Sequence, residues 1–137
     1  MKISNTMLKY YLQHLTVYFL ENTTMPEDLS VFNTDLHTIK HTALARHELD
    51  WLILGLAHIV FNPDIQLKAF RGLAENIEEG DLHHLLWHAL NTLCPNYTPE
   101  KPSIPIELIN MTTEEWDQYK SIFNNNKAPH HNWSKRN

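Results

Sequence analysis

The chain has 137 residues and a formal net charge of -5, with 42% hydrophobic and 20% charged residues. That length supports one domain with its own core, the balance is that of a globular protein, and the acid excess argues against a nucleic-acid-binding surface. A single cysteine, Cys94, excludes an intramolecular disulfide, and only three glycines (Gly55, Gly72, Gly80) exclude glycine-rich phosphate loops and make a turn-rich β-sandwich a poor fit.

The N-terminal MKISNTMLKYYLQHL lacks a long apolar run and a small-residue cleavage site, so no signal peptide is expected. With the lone cysteine, this gives the expectation of a cytoplasmic protein. Ser4 can cap a first helix over 5–21, in which Leu8, Tyr11, Leu12, Leu15 and Phe19 share one face. The stretch 22–33, with Pro26, reads as a loop whose Leu29, Val31 and Phe32 tuck onto the core. Asn33 or Thr34 caps a second helical stretch, with Asp35 in its first turn and Leu36, Ile39, Ala43 and Leu44 inward.

The centre of the chain is LDWLILGLAHIVF at 49–61, a run with apolar side chains all round a helix. It is shorter than the roughly 20 residues needed to cross a bilayer. It is expected to be the core of a central helix over about 43–61, with a break or bend between His41 and Glu48, since an unbroken 35–61 helix would be long for this size. Pro63 starts a further helix over 63–77, with Ala69, Phe70, Leu73 and Ile77 inward, closed by Gly80 in the left-handed conformation. Asp81 caps a helix to about 93 that buries Leu82, Leu85, Leu86, Ala89 and Leu93 and stops at Pro95.

Residues 95–105 are proline-rich and form an extended strap, anchored by Ile104, Ile106, Leu108 and Ile109. Thr112, Thr113, Glu114 and Glu115 form a capping box that opens a short C-terminal helix to about 123, with Trp116, Tyr119 or the Lys120 stem, and Phe123 inward. The expected fold is therefore all-α: a single domain over 1–123, with five or six helices around the central one, and a polar tail over 124–137.

Ten histidines are the unusual count. His37 and His41, and likewise His84 and His88, are four apart and share a helix face. Together they could supply four imidazoles to a metal site in a helical bundle with hydrolytic or redox chemistry. Against this, His84 and His88 lie opposite the buried leucines of their helix. His47-Glu48 begins like a zinc-protease helix, but Trp51 stands where the second histidine is required. Arg46, His47 and Glu48 read more simply as a solvated helix end with local ion pairs. His58 interrupts the apolar run and reads as a neutral core histidine with one partner. Cys94 reads as a small buried hydrophobe. The two helices around Gly80 resemble a helix-turn-helix in order only: the second carries no lysine or arginine, and its acidic turn would repel DNA.

No catalytic or cofactor motif emerges, and none is expected. The leading expectation is a non-enzymatic protein-binding module. Trp87 reads first as satellite core covered by the proline strap or the tail; left exposed, it is an aromatic anchor that, with His84 and His88 and rimmed by the acidic turn Glu75, Glu78, Glu79 and Asp81, suits a basic protein partner. An immunity- or antitoxin-type antagonist that neutralises a basic nuclease toxin would have this character. The alternatives are the histidine-rich metal-binding bundle and a structural or regulatory subunit of an oligomer, with the oligomeric state left open.

Overall fold

The fold was analysed as a computed structural model that describes residues 1–125 except Leu73, Glu75 and Tyr97, with side chains described through Phe123. Helices dominate: α1 (Asn5–Thr16), α2 (Asn33–Ala45), α3 (Leu49–Val60), α4 (Glu79–Leu93) and α5 (Thr113–Asn125), joined by short 3-10 turns. Among these residues no helix is long and apolar enough to cross a membrane. The expected tail lies, from residue 126 on, outside the described residues.

The fold is mostly rather than wholly helical. Strand β1 (Lys2–Ser4) pairs in parallel with β2 (Glu107–Ile109), with Ile3 opposite Leu108. Three residues are too few to display an alternating pattern, which is why the sequence reads as all-α. The pairing joins the start of the chain to the end of the proline-rich strap. Ile3 is fully buried, and the Lys2 amide donates to the Tyr119 hydroxyl (2.8 Å), which ties β1 to α5 as well.

Local chemistry sets the helix ends. The Ser4 hydroxyl accepts from the Met7 amide (3.1 Å) and starts α1, which tightens into a 3-10 turn at Val17–Leu20. In the capping box, the Thr112 hydroxyl accepts from the Glu115 amide (3.1 Å) and the Glu115 carboxylate accepts from the Thr112 amide (2.9 Å). Those hydrogen bonds hold the Glu115 carboxyl below its ordinary pKa.

Several boundaries differ from expectation. The helix expected over 63–77 is reduced to a 3-10 turn at Leu67–Phe70. The Asn62 side chain accepts from the Asp64 amide (3.1 Å), an Asx turn that competes with helix, and Gly72 sits at φ +59°, which ends regular winding. Its apolar residues still pack: Leu67, Phe70, Ala74 and Ile77 are buried. Gly80 is not a left-handed closure but lies in the first turn of α4, which begins at Glu79 rather than being capped by Asp81. Val31 and Leu44, expected inward, are exposed.

At the core, α3 buries nine of its twelve residues. It is shorter than the expected 43–61 helix because α2 ends at Ala45. Gly55 lets α1 approach closely: a Cβ there would lie 2.6 Å from Leu8 Cδ2, and Leu8 is fully buried. Trp51 faces α5, meeting Trp116, Tyr119 and Phe123 edge-on at 5.2–5.8 Å between centroids.

Candidate functional site

The expected break between α2 and α3 falls at Arg46, His47 and Glu48, and it has a definite form. The Glu48 amide donates to the Ala43 carbonyl (2.8 Å) and the His47 amide to the Leu44 carbonyl (3.1 Å). This is the Schellman pattern that ends helices. It needs one residue in the left-handed conformation, and His47 takes that place at φ 56°, where glycine is usual.

The turn sends Glu48 inward. Glu48 is 5% exposed, which corrects the reading of a solvated helix end at this residue, while Arg46 and His47 are exposed as that reading expects. Glu48 Oε1 accepts from the Tyr11 hydroxyl of α1. Oε2 accepts from Trp116 Nε1 (2.8 Å) and Lys120 Nζ (2.9 Å), one turn apart on α5. Lys120 Nζ also reaches the Arg46 carbonyl (3.4 Å) and Asp117 Oδ1 (3.4 Å). A carboxylate that accepts three donors and faces an ammonium is satisfied in the interior, where an unpaired one would not survive. Burial, and then the hydrogen bond to Glu48, raises the Tyr11 phenol well above its ordinary pKa.

Above this network lies a groove of about 580 Å³ between α1, α5 and the α2–α3 corner. Buried Met7 and Trp116 contribute to its floor, with Tyr10, Met111, Thr113, Asp117 and Arg46 around it. The Arg46 guanidinium lies over the Tyr10 ring, 4.8 Å from its centroid.

The acidic face expected to bind a partner lies elsewhere, at the start of α4. Glu78 and Glu79 are exposed, Asp81 is half-buried and His84 is exposed, whereas Glu75 lies outside the described residues. None of Glu78, Glu79 and Asp81 has a basic partner among the described residues. A second groove, of about 380 Å³, runs beside them, lined by Val60, Ile65, Leu67, Glu79 and His83. The His83 ring shares a hydrogen bond with the Val60 carbonyl (3.1 Å), which joins α4 to the end of α3. Trp87 is half-buried and packs edge-on against Phe61 (5.1 Å between centroids), so much of its ring belongs to the α3–α4 contact. His88 is half-buried and bonds to the Asn33 side chain of α2 (3.0 Å). Burial first, then the nearby His84, lowers its pKa.

The four histidines of the metal reading do not form a site. His37 and His41 are exposed on α2, and among the described residues no three or more His, Cys, Asp or Glu side chains are grouped to hold a metal ion. His58 is half-buried, with its pKa lowered by burial and then by Lys101 of the strap. Cys94 is buried, and burial pushes its thiol up to about 11, the opposite of what a nucleophile needs.

Sequence reading missed Glu48 and its three donors. The available signal was Lys120, which shares a helix face with Trp116 and Phe123: a lysine in an apolar stripe calls for a carboxylate opposite. No protein-family model, curated protein or solved structure matches this chain.

Proposed function

We propose that the chain is a non-enzymatic protein-binding module that engages a basic partner through the first turn of α4. The observation that carries this reading is the acidic turn Glu78, Glu79 and Asp81, which has no basic partner among the described residues, set beside the apolar-walled groove of Val60, Ile65 and Leu67. Acidic groups at a helix N-terminus favour the helix dipole on their own account. The adjoining groove adds what a solvated helix end does not need: an apolar centre that supplies affinity, while the charges speed encounter. A nuclease toxin is a partner of suitable chemistry, because a cleft that holds phosphate is positively charged. An immunity- or antitoxin-type role in the cytoplasm follows from that pairing.

The test uses the purified chain and a basic nuclease recovered with it from its native cell. Charge reversal at E78K, E79K and D81K should weaken binding by about tenfold or more, chiefly by slowing association, with an effect that shrinks as salt rises. The parent chain should also inhibit the nuclease. Unaltered affinity in the triple variant, with its helical spectrum intact, would refute the surface. Failure to recover any basic protein, or recovery without inhibition, counts against the antagonist role.

A further inference from the structure

We infer that the groove above the Glu48 network is a binding site for a small organic carboxylate with an apolar body, and that Arg46 holds the carboxylate. The site is separate from the acidic face of α4 and does not rest on the partner reading.

The charges single out Arg46. Glu48 and Lys120 neutralise each other at 2.9 Å, and Asp117 lies 3.4 Å from the same ammonium. Two carboxylates share one ammonium, which leaves a single negative charge on the 62% exposed Asp117 side chain at the groove's edge and makes Arg46, among the described residues, the one lining cation outside that network. Among the described residues the Arg46 guanidinium stacks over Tyr10, and no carboxylate lies within ion-pair distance of it. Stacking uses the face of the guanidinium and leaves the N–H groups on its edge free to donate. A planar fork with free donors matches a carboxylate in bidentate fashion, and an ammonium in its place would not.

The surroundings suit the rest of such a ligand. A volume of about 580 Å³ falls within the size range of small-molecule sites. Met7, Met111 and Trp116 offer apolar and aromatic contact, and the exposed Thr113 offers a hydroxyl at the rim. The site is also held in place before any ligand arrives. The Arg46 amide is fixed to the Thr42 carbonyl (3.1 Å) in the helix-ending turn, and the Arg46 carbonyl receives Lys120 Nζ. Anchoring of this kind lowers the ordering cost of binding.

Phenylacetate is the probe, with acetate and phenethylamine as controls that lack the apolar body and the carboxylate respectively. The readout is the ¹H–¹⁵N spectrum of the full chain, in which the Trp116 indole N–H reports on the groove floor. Phenylacetate should give saturable shifts at the Trp116 indole and at the amides of Arg46 and Thr113, while each control binds about tenfold more weakly or worse. R46Q, a change at an exposed residue, should weaken phenylacetate about tenfold and leave the remaining spectrum unchanged. R46K should restore little, because an ammonium lacks the fork. The inference is overturned if phenylacetate causes no shift at about 50 mM, well above the millimolar range of weak fragments. It is equally overturned if the shifts scatter away from the groove, if phenethylamine matches phenylacetate, or if R46Q binds like the parent.

Discussion

Removing the Glu48 carboxylate tests whether the contact between α3 and α5 rests on the buried network. Glu48→Ala deletes the acceptor for the Tyr11 hydroxyl, the Trp116 indole and the Lys120 ammonium at once. Each neutral donor left unpaired costs about 1–3 kcal/mol. Lys120 is not wholly stranded, since the Arg46 carbonyl and Asp117 stay 3.4 Å away and the Asp117 side chain is 62% exposed to water. The expected loss is therefore about 3–5 kcal/mol, the usual cost of breaking a buried pair from one side. For a chain of this length that is about 10–20 °C in Tm. Lys120→Met should cost a similar amount, because the carboxylate then keeps only two neutral donors. The double variant Glu48→Leu with Lys120→Met is the informative one. It removes both desolvated charges together and leaves only the Tyr11 and Trp116 donors unpaired, so it should be more stable than either single variant. Urea unfolding followed by tryptophan emission measures all of these, provided the slope stays constant. A cost below about 1 kcal/mol for Glu48→Ala, or a double variant whose effect is simply the sum of those of the single variants Glu48→Leu and Lys120→Met, would refute the network as described.

Two further outcomes are expected. His47→Gly should raise stability by about 0.5–1 kcal/mol in the same urea assay, because φ 56° is strained for a residue with a Cβ and open to glycine; a loss would mean that the His47 ring makes a contact worth more than the strain. On acidification, His58 and His88 should destabilise the fold. Burial lowers both pKa values from 6.5 in the folded chain, so the unfolded chain takes up protons first. Their contribution is complete above pH 6.5 and is lost as pH falls through the folded values, a window distinct from that of Asp28 and Glu115, whose carboxyls are lowered from 3.8 and 4.5. Urea midpoints should fall between about pH 7.5 and 5.5, and His58→Gln should flatten the fall; a pH-independent midpoint in the parent would contradict it.

The helices that were legible in the sequence are those whose signals are local. Ser4 and the Thr112–Glu115 box each start a helix where the sequence places it, because a cap needs only side chains within three residues. The apolar run over 49–60 was legible as helix, and most of the residues of α3 are buried, because a helix apolar on every side has no face suited to water. The failures involve partners remote in sequence. The 63–77 stretch has helical spacing of apolar residues, but the Asn62 turn and the left-handed Gly72 allow those residues to reach the core without winding. The β1–β2 pair links residues about a hundred positions apart, and no pattern within either strand announces it. The same holds for Glu48. Its neighbours Arg46 and His47 suggest a solvated helix end, whereas its donors come from α1 and α5.

The residue after the left-handed position of a Schellman turn usually packs an apolar side chain back onto its helix. Here that place holds a carboxylate; exchanging a buried ion pair for apolar side chains is often neutral or better, but at this position it would leave the Tyr11 and Trp116 donors without an acceptor. What the carboxylate adds is register. The face of α5 that meets Trp51 is a row of aromatic rings, Trp116, Tyr119 and Phe123, and such a row can slide by a turn without losing its apolar character. Glu48 Oε2 takes donors from Trp116 and Lys120, which lie four residues apart, so a slip of one turn along α5 leaves at most one of the two in place, and in one direction it removes the ammonium from a buried carboxylate. Fixing α5 in this way also fixes Thr113, Trp116 and Asp117 opposite Arg46, so the groove keeps its shape because of the ion pair beneath it. The network is thus tied to the binding site proposed above it: loosening Glu48 should blur the groove even under conditions in which the rest of the core stays folded.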